Sequence, residues 1–335
     1  MKNIIKNIGI ITSGGDSPGM NAVIKSIVNF SNNYNINCYG IKYGYDGLIK
    51  GKNNIIRLFN KDVNNIINLG GTILGSGRSK IFKTKKGRKK AYNNIINNNL
   101  NGLIIIGGDG SFTGAMIFNK EYNFPIIGIP GTIDNDIYGT DLTIGYDTSL
   151  NTIIQIVEKI KDTANSNNRI FIIEVMGKGL GFLALNSGIA LGALDILIPK
   201  NDKYNFNKID NFLFKNNKNL YNNIIIVAEN KKIGESAKKV YRYIKNKFNK
   251  YEIRYSILGH VQRGGTPTYL DRILAIKLSL ESVKNFYNYK FNFVIGIKNN
   301  KITYIPFNKA IKKNKKKYDK NIKNIYKCYY YNKII

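Results

Sequence analysis

Residues 124–136 read Phe-Pro-Ile-Ile-Gly-Ile-Pro-Gly-Thr-Ile-Asp-Asn-Asp. The apolar run from Ile126 to Ile129 is long enough for one buried strand, and it stops at a Pro-Gly pair. A hydroxyl at Thr132 and carboxylates at Asp134 and Asp136 then follow within five residues. Open parallel α/β sheets bind ligands outside the C-terminal ends of their strands, so this stretch predicts a functional site. The alternative is an ordinary turn in which Asp and Asn side chains bond their own backbone.

A strand, a glycine-rich turn and a helix open the chain. The sequence predicts a buried strand from Ile4 to Ile11, the turn Thr12-Ser-Gly-Gly-Asp-Ser-Pro-Gly19, and a helix from Met20 to Phe30. Glycines let backbone N–H groups approach a phosphate, and the N-terminus of the following helix adds partial positive charge. The chain has no GxxxxGK followed by Ser or Thr, and this loop lacks GxGxxG spacing. A tight structural turn is therefore the alternative to a phosphate site.

A second strand runs into a glycine loop at residues 103–111, Leu-Ile-Ile-Ile-Gly-Gly-Asp-Gly-Ser. Asp109 could hold Mg²⁺ here while the amides of Gly108 and Gly110 contact phosphate oxygens. NAD kinases and lipid kinases carry something similar, so the motif is moderately specific. Between the two loops, Leu74-Gly-Ser-Gly-Arg78 offers another small-residue loop that ends in a cation.

The alternation of strands and helices starts again at Ile144. Further strands are predicted from Ile170 to Val175, Ile224 to Ala228 and Ile253 to Leu258, and helices from Leu150 to Ile160, Gly181 to Leu191 and Asp271 to Lys284, the last with an Asp-capped start. Such alternation implies parallel sheets with helices on both faces. The predicted fold class is α/β, with two doubly wound, Rossmann-like parallel-sheet lobes and the active site in the cleft between them.

Composition narrows the functional classes. The 335 residues are 43% hydrophobic, as in a globular protein with a core. Lys and Arg number 52 against 21 Asp and Glu, a formal charge of +31, which favours a nucleic-acid or membrane-surface partner. The lysines are however scattered among Asn and Ile, as in a drifting AT-rich gene, and only Lys312 to Lys317 form a dense run. A basic nucleic-acid-binding protein on this scaffold remains a distant alternative.

Cysteine and histidine usage point to a cytoplasmic enzyme that works with carboxylates. Cys38 and Cys328 lie far apart without metal-like spacing, which suits a reducing compartment. The N-terminal apolar stretch is too short for a signal peptide, and no apolar run approaches the roughly 18 residues of a membrane span. The single histidine, His260, excludes a two-histidine zinc motif. Acid and base chemistry must otherwise fall to carboxylates.

Charged residues recur at the ends of the predicted strands. Acids can hold a metal or act as a base and cations can neutralise anionic groups, which is what phosphoryl transfer requires. Each of them alone would be interpreted as an ordinary surface charge. Their repeated placement at strand ends favours a site for phosphoryl transfer. They are Arg78, Asp109, Asp134, Asp136, Lys178, Glu229, His260 and Arg263.

Five motifs together resemble a known family. They are Thr12-Ser-Gly-Gly-Asp-Ser-Pro-Gly-Met-Asn21, Gly107-Gly-Asp-Gly-Ser111, Pro130-Gly-Thr-Ile-Asp-Asn-Asp136, Val175-Met-Gly177 and Gly259-His-Val-Gln-Arg-Gly-Gly265. In order and spacing they are similar to those of bacterial ATP-dependent 6-phosphofructokinases. The resemblance runs from about Ile8 to Ile305, which is nearly the whole chain.

The resemblance implies a homotetramer that transfers the γ-phosphoryl of ATP to the 1-hydroxyl of fructose 6-phosphate with Mg²⁺. Residues 1–144 plus 258–308 would form the ATP-binding lobe, and residues 145–257 plus 309–335 the lobe that binds fructose 6-phosphate. Asp134 would be the base, assisted by Thr132, Asp136 and Lys178. The nucleotide would be lined by Gly15, Tyr45, Arg78, Ser79, Gly108, Asp109, Gly110 and Ser111, with Asp109 as the Mg²⁺ ligand. The sugar phosphate would be held by Thr132, Ile133, Asp134, Arg169, Met176, Gly177, Lys178, Glu229, Arg254, His260, Val261, Gln262 and Arg263, of which Arg169 and Arg254 would reach in from a neighbouring subunit.

Two features bear on the phosphoryl donor and on turnover. Pyrophosphate-using members of the family usually place Asp and Lys where this chain has Gly110 and Gly131, so ATP is favoured. A pyrophosphate-dependent phosphofructokinase or a related sugar-phosphate kinase is the alternative. Lys178 stands where most relatives have Arg, and it keeps the charge without the planar bidentate fork. We therefore expect a change in turnover but not in reaction type.

The family's regulatory pocket, which binds ADP or phosphoenolpyruvate, is also altered. Its cationic positions and its metal-binding glutamate read Lys25, Asn29, Asn60, Lys161, Leu220, Tyr221 and Leu194, with Asp195 one place late. Most of the anion-binding groups are absent, so we expect an active enzyme with an eroded allosteric site. Fructose 6-phosphate saturation curves that shift strongly on adding either effector would contradict this.

Overall fold

Two units make up the chain. The computed structural model describes residues 5–167, 169–178, 180–199, 204–215, 223–230, 232–248, 251–312, 322 and 324–325. The first unit comprises Met1–Thr148 with Arg263–Lys316, and the second comprises Ser149–Gln262 with Lys317–Ile335. The assignment of ATP to one lobe and sugar phosphate to the other stays a prediction, as does the cleft between them. Most of the basic run from Lys312 to Lys317 lies outside the described residues.

Strands and helices alternate along the described chain. The strands are β1 (Asn7–Ser13), β2 (Asn37–Ile41), β3 (Ile55–Leu58), β4 (Gly102–Gly107), β5 (Ile126–Pro130), β6 (Ile170–Val175), β7 (Asp195–Leu197), β8 (Ile224–Ala228), β9 (Ile253–Ile257), β10 (Phe293–Lys298) and β11 (Lys301–Pro306). The helices are α1 (Met20–Asn32), α2 (Gly44–Lys50), α3 (Asn60–Val63), α4 (Lys85–Asn97), α5 (Asp109–Tyr122), α6 (Tyr146–Ser166), α7 (Phe182–Ala190), α8 (Asn207–Lys215), α9 (Glu235–Lys247), α10 (Tyr269–Tyr287) and α11 (Phe307–Ala310). None of the described helices combines the length and the hydropathy that crossing a bilayer requires.

The first unit is built on a seven-stranded sheet with the order β11-β10-β5-β4-β1-β2-β3. Its five inner strands are parallel, whereas β3 and β11 pair antiparallel with β2 and β10 at the two edges. The chain leaves β1 towards β2 and β3 and then returns to β4 on the other side of β1. The strand order therefore reverses between β1 and β4, and ligands of open α/β sheets bind outside the C-terminal strand ends at such a point.

The core of the first unit follows from the alternation of side chains along each strand. Ile8 and Ile10 of β1 belong to the cluster that packs with α1 and α10, whereas Ile11 belongs to the cluster with α2, α4 and α5. Successive strand residues point to opposite faces, so a strand with helices on both sides must be apolar almost throughout. The run Gly102–Gly107 meets this requirement, because every residue in it is buried.

The second unit contains a four-stranded parallel sheet with the order β7-β8-β6-β9. Helices α8 and α9 pack on one face through Ile209, Leu213, Val240 and Ile244. The C-terminal ends of β6, β8 and β9 lie at one edge of this sheet, because the three strands are adjacent and parallel. Residues that follow these strands are therefore brought together there.

The predicted α/β class with two parallel-stranded sheets is confirmed, and β6 and β8 have the predicted bounds. Several details differ from the prediction. Both edge strands of the first sheet are antiparallel, and the first strand begins later, at Asn7. Helix α10 is capped by Thr268, whose side chain accepts from the Asp271 N–H, so the predicted Asp cap is wrong.

Candidate active site

The first glycine loop follows β1 and lies against an arginine from a distant part of the chain. Gly14 has a φ of 94°, and its N–H donates to the Gly77 carbonyl at 3.0 Å. A Cβ at Gly15 would lie 2.8 Å from Nη1 of Arg263, so a larger residue would displace the guanidinium. Arg263 Nη1 also donates to the Asp16 carbonyl at 3.0 Å. The structure thus places Arg263, predicted to bind the sugar phosphate, beside Gly15, predicted to line the nucleotide.

The second glycine loop forms the start of α5. Gly108 precedes the helix, Asp109 is its first residue, and the half-buried Asp109 carboxylate is followed by the exposed Gly110. Apart from its chain neighbours and the backbone of its own helix, no heavy atom of the described residues lies within 4 Å of where a Gly110 Cβ would be. The N-terminus of a 14-residue helix offers unsatisfied N–H groups and partial positive charge, which favours a phosphate.

A serine joins the two glycine loops. Ser111 Oγ donates to the Ser13 carbonyl at 2.9 Å. A Cβ at Gly107 would lie 2.5 Å from that same carbonyl oxygen and 2.6 Å from Ser111 Oγ, so only glycine fits there. The loops after β1 and β4 are therefore held side by side at the reversal of strand order.

The remaining predicted nucleotide residues lie around this loop in different environments. Tyr45 is buried, stacks on Phe82 with centroids 3.9 Å apart, and donates its hydroxyl to the Ser111 carbonyl at 2.7 Å. Burial raises the pKa of the Tyr45 hydroxyl. Ser79 Oγ accepts from the Phe82 N–H at 3.0 Å, and Arg78 is exposed. Tyr45 therefore stabilises the second glycine loop from the buried side. Arg78 is the exposed cation among the predicted nucleotide residues.

The residues after β5 form a short loop (residues 130–136), which we call the catalytic loop after the role predicted for its acids. The strand register pairs Gly107 with Pro130, and the Gly131 N–H donates to the Gly107 carbonyl at 3.1 Å. A Cβ at Gly108 would lie 3.6 Å from the Thr132 Cβ, so Thr132 lies beside the residue that precedes α5. The catalytic loop thus leaves the sheet directly beside the second glycine loop.

The acids of the catalytic loop are buried. Asp134 is 1% exposed and Asp136 is 0% exposed, and Ile133 is buried with them. The Asp134 N–H donates to Thr132 Oγ1 at 3.3 Å. Asn135 between the acids has a φ of 48°, a left-handed conformation that Asn tolerates better than most residues. The loop is therefore a tight turn, and its carboxylates lie within the protein.

In the second unit, the ends of β6 and β8 hold the predicted sugar-phosphate residues together. Lys178 has a φ of 47°, its side chain is exposed, and its N–H donates to Glu229 Oε1 at 3.2 Å. The Glu229 N–H in turn donates to the Val175 carbonyl at 2.8 Å. Gly177 has a φ of 134°, which favours glycine. The backbone of Lys178 and the carboxylate of Glu229 are therefore fixed to each other.

The segment after β9 divides into one buried residue and two exposed ones. Gln262 is buried, accepts from the Met176 N–H at 3.1 Å, and donates to the Gly259 carbonyl at 2.9 Å. His260 and Val261 are exposed. Gln262 therefore ties this segment to the end of β6, whereas His260 is available to a ligand and is not a core residue.

Arg169 and Arg254 lie at the other edge of the same sheet. Arg169 immediately precedes β6, Arg254 is the second residue of β9, and the register pairs Arg254 with Phe171. Both arginines bond Glu252, with Arg169 Nε 2.9 Å from Oε2 and Arg254 Nη2 2.7 Å from Oε1. The hydrogen bond from Arg169 and the charges of both arginines lower the pKa of Glu252. Glu252 was not predicted from the sequence, although its spacing of two residues from Arg254, at the start of β9, is a usable signal.

The donor groups suit a magnesium ion that is bound mainly by a nucleotide. Among the described residues, no cluster of three or more His, Cys, Asp or Glu side chains is placed to hold a metal. Mg²⁺ commonly keeps several waters and takes one or two carboxylates together with substrate phosphates. A single carboxylate at the start of α5, Asp109, fits this kind of binding.

The predicted regulatory positions are partly described. Lys25 Nζ donates to the Asn64 carbonyl. Leu194 packs against the core of the second unit, and the neighbouring Asp195 is buried. Leu220 and Tyr221 lie outside the described residues.

Proteins of similar sequence belong to one family. The family model described as Phosphofructokinase matches residues 7–286. The chain is 47% identical over 314 residues to ATP-dependent 6-phosphofructokinase 2 of Bacteroides thetaiotaomicron, covering 93% of this chain and 94% of that protein. It is 41% identical over 321 residues to the ATP-dependent 6-phosphofructokinase of Thermotoga neapolitana, covering 96% and 98%.

Solved structures show the same fold. Phosphofructokinase from Saccharomyces cerevisiae superimposes with a TM-score of 0.87 at 32% identity over 97% of this chain, which spans 50% of the yeast chain. Pichia pastoris phosphofructokinase in the T-state gives a TM-score of 0.82 at 37% identity over 91% of this chain, which spans 35% of that one. The pyrophosphate-dependent enzyme of Marinobacter aquaeolei shares the fold alone, with a TM-score of 0.79 at 18% identity. On these matches and on the loops described above, the chain belongs to the phosphofructokinase family.

Proposed function

We propose that this chain is an ATP-dependent 6-phosphofructokinase, which converts fructose 6-phosphate and ATP to fructose 1,6-bisphosphate and ADP. The observation that carries the proposal is the joining of the Gly-Asp-Gly start of α5 to the catalytic loop through the Gly131–Gly107 bond. One loop suits a triphosphate, and the other carries two buried carboxylates beside it. The predicted location in the cytoplasm remains a prediction from the sequence.

The nucleotide would be bound at the reversal of strand order in the first unit. The N–H groups at the start of α5 would bind phosphate oxygens, and Gly110 leaves open space beside them. Asp109 would hold Mg²⁺, which supplies charge neutralisation on the transferring phosphoryl group. This open glycine favours ATP over pyrophosphate as the donor.

Asp134 would take the proton from the sugar 1-hydroxyl as the phosphoryl group is transferred. A sugar hydroxyl is a weak nucleophile at neutral pH, so a positioned carboxylate contributes roughly 10²- to 10⁴-fold. Thr132 and Asp136 would act beside it. Most of the remaining barrier is lowered by positioning and by cations that neutralise developing charge.

The sugar phosphate would be held by residues of the second unit together with Arg263. Glu229 and the backbone at Lys178 are mutually fixed and would orient the sugar, and the exposed His260 would contact the phosphate or the sugar. Lys178 supplies a point charge where a guanidinium would bind bidentately. We expect this substitution to change turnover and not the reaction.

A homotetramer is part of the proposal. Strand β6 has six residues and is therefore about 20 Å long, and Arg169 lies at its start whereas Met176 follows its end. Arg169 and Arg254 thus lie at the N-terminal ends of their strands, whereas Glu229 and His260 follow the C-terminal ends. Within one subunit the arginines are therefore too far away to join Glu229 and His260. These arginines would instead bind the sugar phosphate held by a neighbouring subunit. With the altered regulatory positions, we expect this oligomer to respond weakly to ADP or phosphoenolpyruvate.

A coupled assay with fructose 6-phosphate and either ATP or pyrophosphate tests the function. We expect turnover with ATP only, and Asp134→Asn should lower kcat by about 10²- to 10⁴-fold because the amide cannot accept the proton. KM for both substrates should change by about threefold or less, because the substitution preserves shape. Nearly unchanged turnover in Asp134→Asn would remove Asp134 as the base. Turnover with pyrophosphate alone, or salt-sensitive nucleic-acid binding without any turnover, would favour the alternatives.

A further inference from the structure

A second segment lies along the catalytic loop and bonds to it three times. We call residues 143–145 the backing segment. The Ile144 N–H donates to the Pro130 carbonyl at 2.9 Å, and the Thr132 N–H donates to the Ile144 carbonyl at 3.0 Å. Thr143 Oγ1 donates to the Thr132 carbonyl at 2.5 Å. Both backbone polar groups of Thr132 are therefore bonded to the backing segment.

The other end of the backing segment is held by a buried carboxylate. Asp271 of α10 is 2% exposed, and its Oδ1 accepts from the Gly145 N–H at 2.8 Å. Its Oδ2 accepts from the Thr148 N–H at 2.8 Å and from Thr148 Oγ1 at 2.5 Å. Thr148 Oγ1 in turn accepts from the Thr268 N–H at 3.0 Å. The start of α6 is thus bonded to the start of α10 immediately after the backing segment.

The backing segment also contacts the first glycine loop. Gly145 has a φ of 99°, and a Cβ there would lie 2.6 Å from the Ser17 Cβ. Only glycine can adopt this conformation and approach without strain. The segment therefore has fixed neighbours on three sides, namely the catalytic loop, the first glycine loop and α10.

Burial of the Asp271 carboxylate costs free energy, which its hydrogen bonds offset. Burial raises the pKa of its carboxyl to about 6, while the bonds from Thr148 and Gly145 favour the charged form. A buried carboxylate is tolerated where such bonds satisfy it. The hydrogen bonds that the Asp271 carboxylate accepts come from Gly145 and Thr148 and not from the catalytic loop. Any effect of Asp271 on that loop would therefore be transmitted through Gly145.

We propose that Thr143 and Asp271 are positioning residues for Asp134: through the backing segment they fix the catalytic loop so that its carboxylate meets the sugar hydroxyl. This inference rests on the proposed role of Asp134 as base. A displacement of about 1 Å at a reacting group can cost about 10²-fold in rate. Thr132, whose carbonyl accepts from the Thr143 hydroxyl, is only two positions before Asp134 in a tight turn, so loss of this bond would change the position of Asp134.

The test compares Thr143→Val, which keeps the shape and removes the donor, with Thr143→Ser, which keeps the donor. We expect Thr143→Val to lower kcat by about 10- to 100-fold with KM for both substrates within about threefold, and Thr143→Ser to keep kcat within about threefold of wild type. Amide hydrogen exchange over residues 130–136 should be faster in the Val variant only, because the loop opens more readily there.

Thr140→Val is the matched control. Thr140 is buried in the same region, but its hydroxyl bonds the Leu142 carbonyl at 2.8 Å and the Ile297 carbonyl at 3.2 Å, away from the catalytic loop. We expect it to lower the unfolding midpoint without lowering kcat. Asp271→Asn, which weakens the hold on Gly145, should lower kcat as Thr143→Val does.

Three outcomes would overturn the inference. Thr143→Val could keep wild-type kcat, Thr143→Ser could lose as much as Val, or Thr140→Val could lower kcat equally. An inactive wild-type enzyme in the ATP assay would instead refute the proposed function. The hydrogen-exchange comparison would still decide whether Thr143 orders the loop.

Discussion

Gly110 stands at the second position of α5 with open space where a side chain would be. We expect Gly110→Asp to raise KM for ATP by about 10- to 100-fold, because a carboxylate would fill that space and repel phosphate oxygens a few ångströms away. Initial rates against ATP concentration at saturating fructose 6-phosphate measure the effect. An acid in the first turn of a helix is favourable to the helix itself, so lost stability would not account for the change.

Gly110→Ala is the control for this prediction. A methyl group meets no neighbour there, so KM for ATP should stay within about twofold of wild type while the free energy of unfolding rises slightly. Equal KM values for the Asp and Ala variants would show that phosphate does not approach this position.

Single residues were predictable where a motif carried them and not where their partners lie far along the chain. Asp109, Asp134 and Glu229 each follow a strand, and strand ends can be found from the hydrophobic pattern. Asp271 bonds Thr148 at a separation of 123 residues, and no local pattern indicates that pair. It was therefore interpreted as a helix cap, whereas its carboxylate holds the start of a different helix.

Helices α4 and α5 are joined by a paired arginine and glutamate. Arg88 donates from Nε and Nη2 to the two carboxylate oxygens of Glu121, at 2.6 Å each, and from Nη1 to the carbonyls of Phe82 and Lys83. The hydrogen bonds from Arg88 lower the pKa of the Glu121 carboxyl. Phe82 also stacks on Tyr45, which supports the second glycine loop, so this pair stabilises the back of the proposed nucleotide site.

We expect Glu121→Gln to lower the free energy of unfolding at pH 7 by about 1–2 kcal/mol, as for hydrogen bonds to a charged group. A lowered pKa in the folded state means that this contribution is present above the unfolded pKa, near 4.5, and is lost as the pH falls through the folded pKa. The difference in unfolding midpoint between wild type and variant should therefore shrink below about pH 4.5, which thermal scans from pH 7 to pH 3 measure.

Glu235→Gln serves as the control for the pH series. Glu235 pairs with Lys232 at 3.5 Å, and both side chains are largely exposed, so its loss should change stability by less than about 0.5 kcal/mol at any pH. A Glu121→Gln difference that stays constant down to pH 3 would contradict the assignment.

Elements were predictable where apolar periodicity is strong. Strands β6 and β8 are buried along nearly their whole length and were placed with the correct bounds. The edge strand β11 was not predicted, because its burial follows no clear alternation and its outer side is solvated. Helix α4, Lys-Lys-Gly-Arg-Lys-Lys-Ala-Tyr-Asn-Asn-Ile-Ile-Asn, was also missed, because few of its residues are apolar and one is glycine.

At the scale of the whole molecule, the two edges of the second sheet have different chemistry. Its C-terminal edge carries Glu229 and Lys178, which bond each other, whereas its N-terminal edge carries Arg169 and Arg254 around Glu252. Arg169 is half-buried and Arg254 is exposed, and under the proposed function both cations would bind an anionic partner outside their own site. A sugar phosphate bound by a neighbouring subunit would be such a partner.

Mixed oligomers test this arrangement. An Asp134→Asn subunit keeps its arginines, and an Arg254→Ala subunit keeps its base, so each alone should be nearly inactive. Each site takes its base from one subunit and its arginine from the symmetric neighbour. In a random equal mixture each of these two subunits is the suitable one in about half of cases, so about a quarter of the sites have both an intact base and an intact arginine. Mixing the two inactive proteins under mildly dissociating conditions and reassembling them should thus restore about a quarter of wild-type turnover in the ATP assay.

A second mixture separates contributions within one chain from those between chains. Asp134→Asn and Asp109→Ala both alter residues of the first unit, which would serve the same chain's site, so every site in their hybrids lacks one of the two carboxylates. These hybrids should remain as inactive as their parents. If the Arg254→Ala mixture also gives no more than the sum of its parents, Arg254 does not serve a neighbour. Its bond to Glu252 would then be a surface ion pair within one subunit, and the proposed need for an oligomer would fall with it.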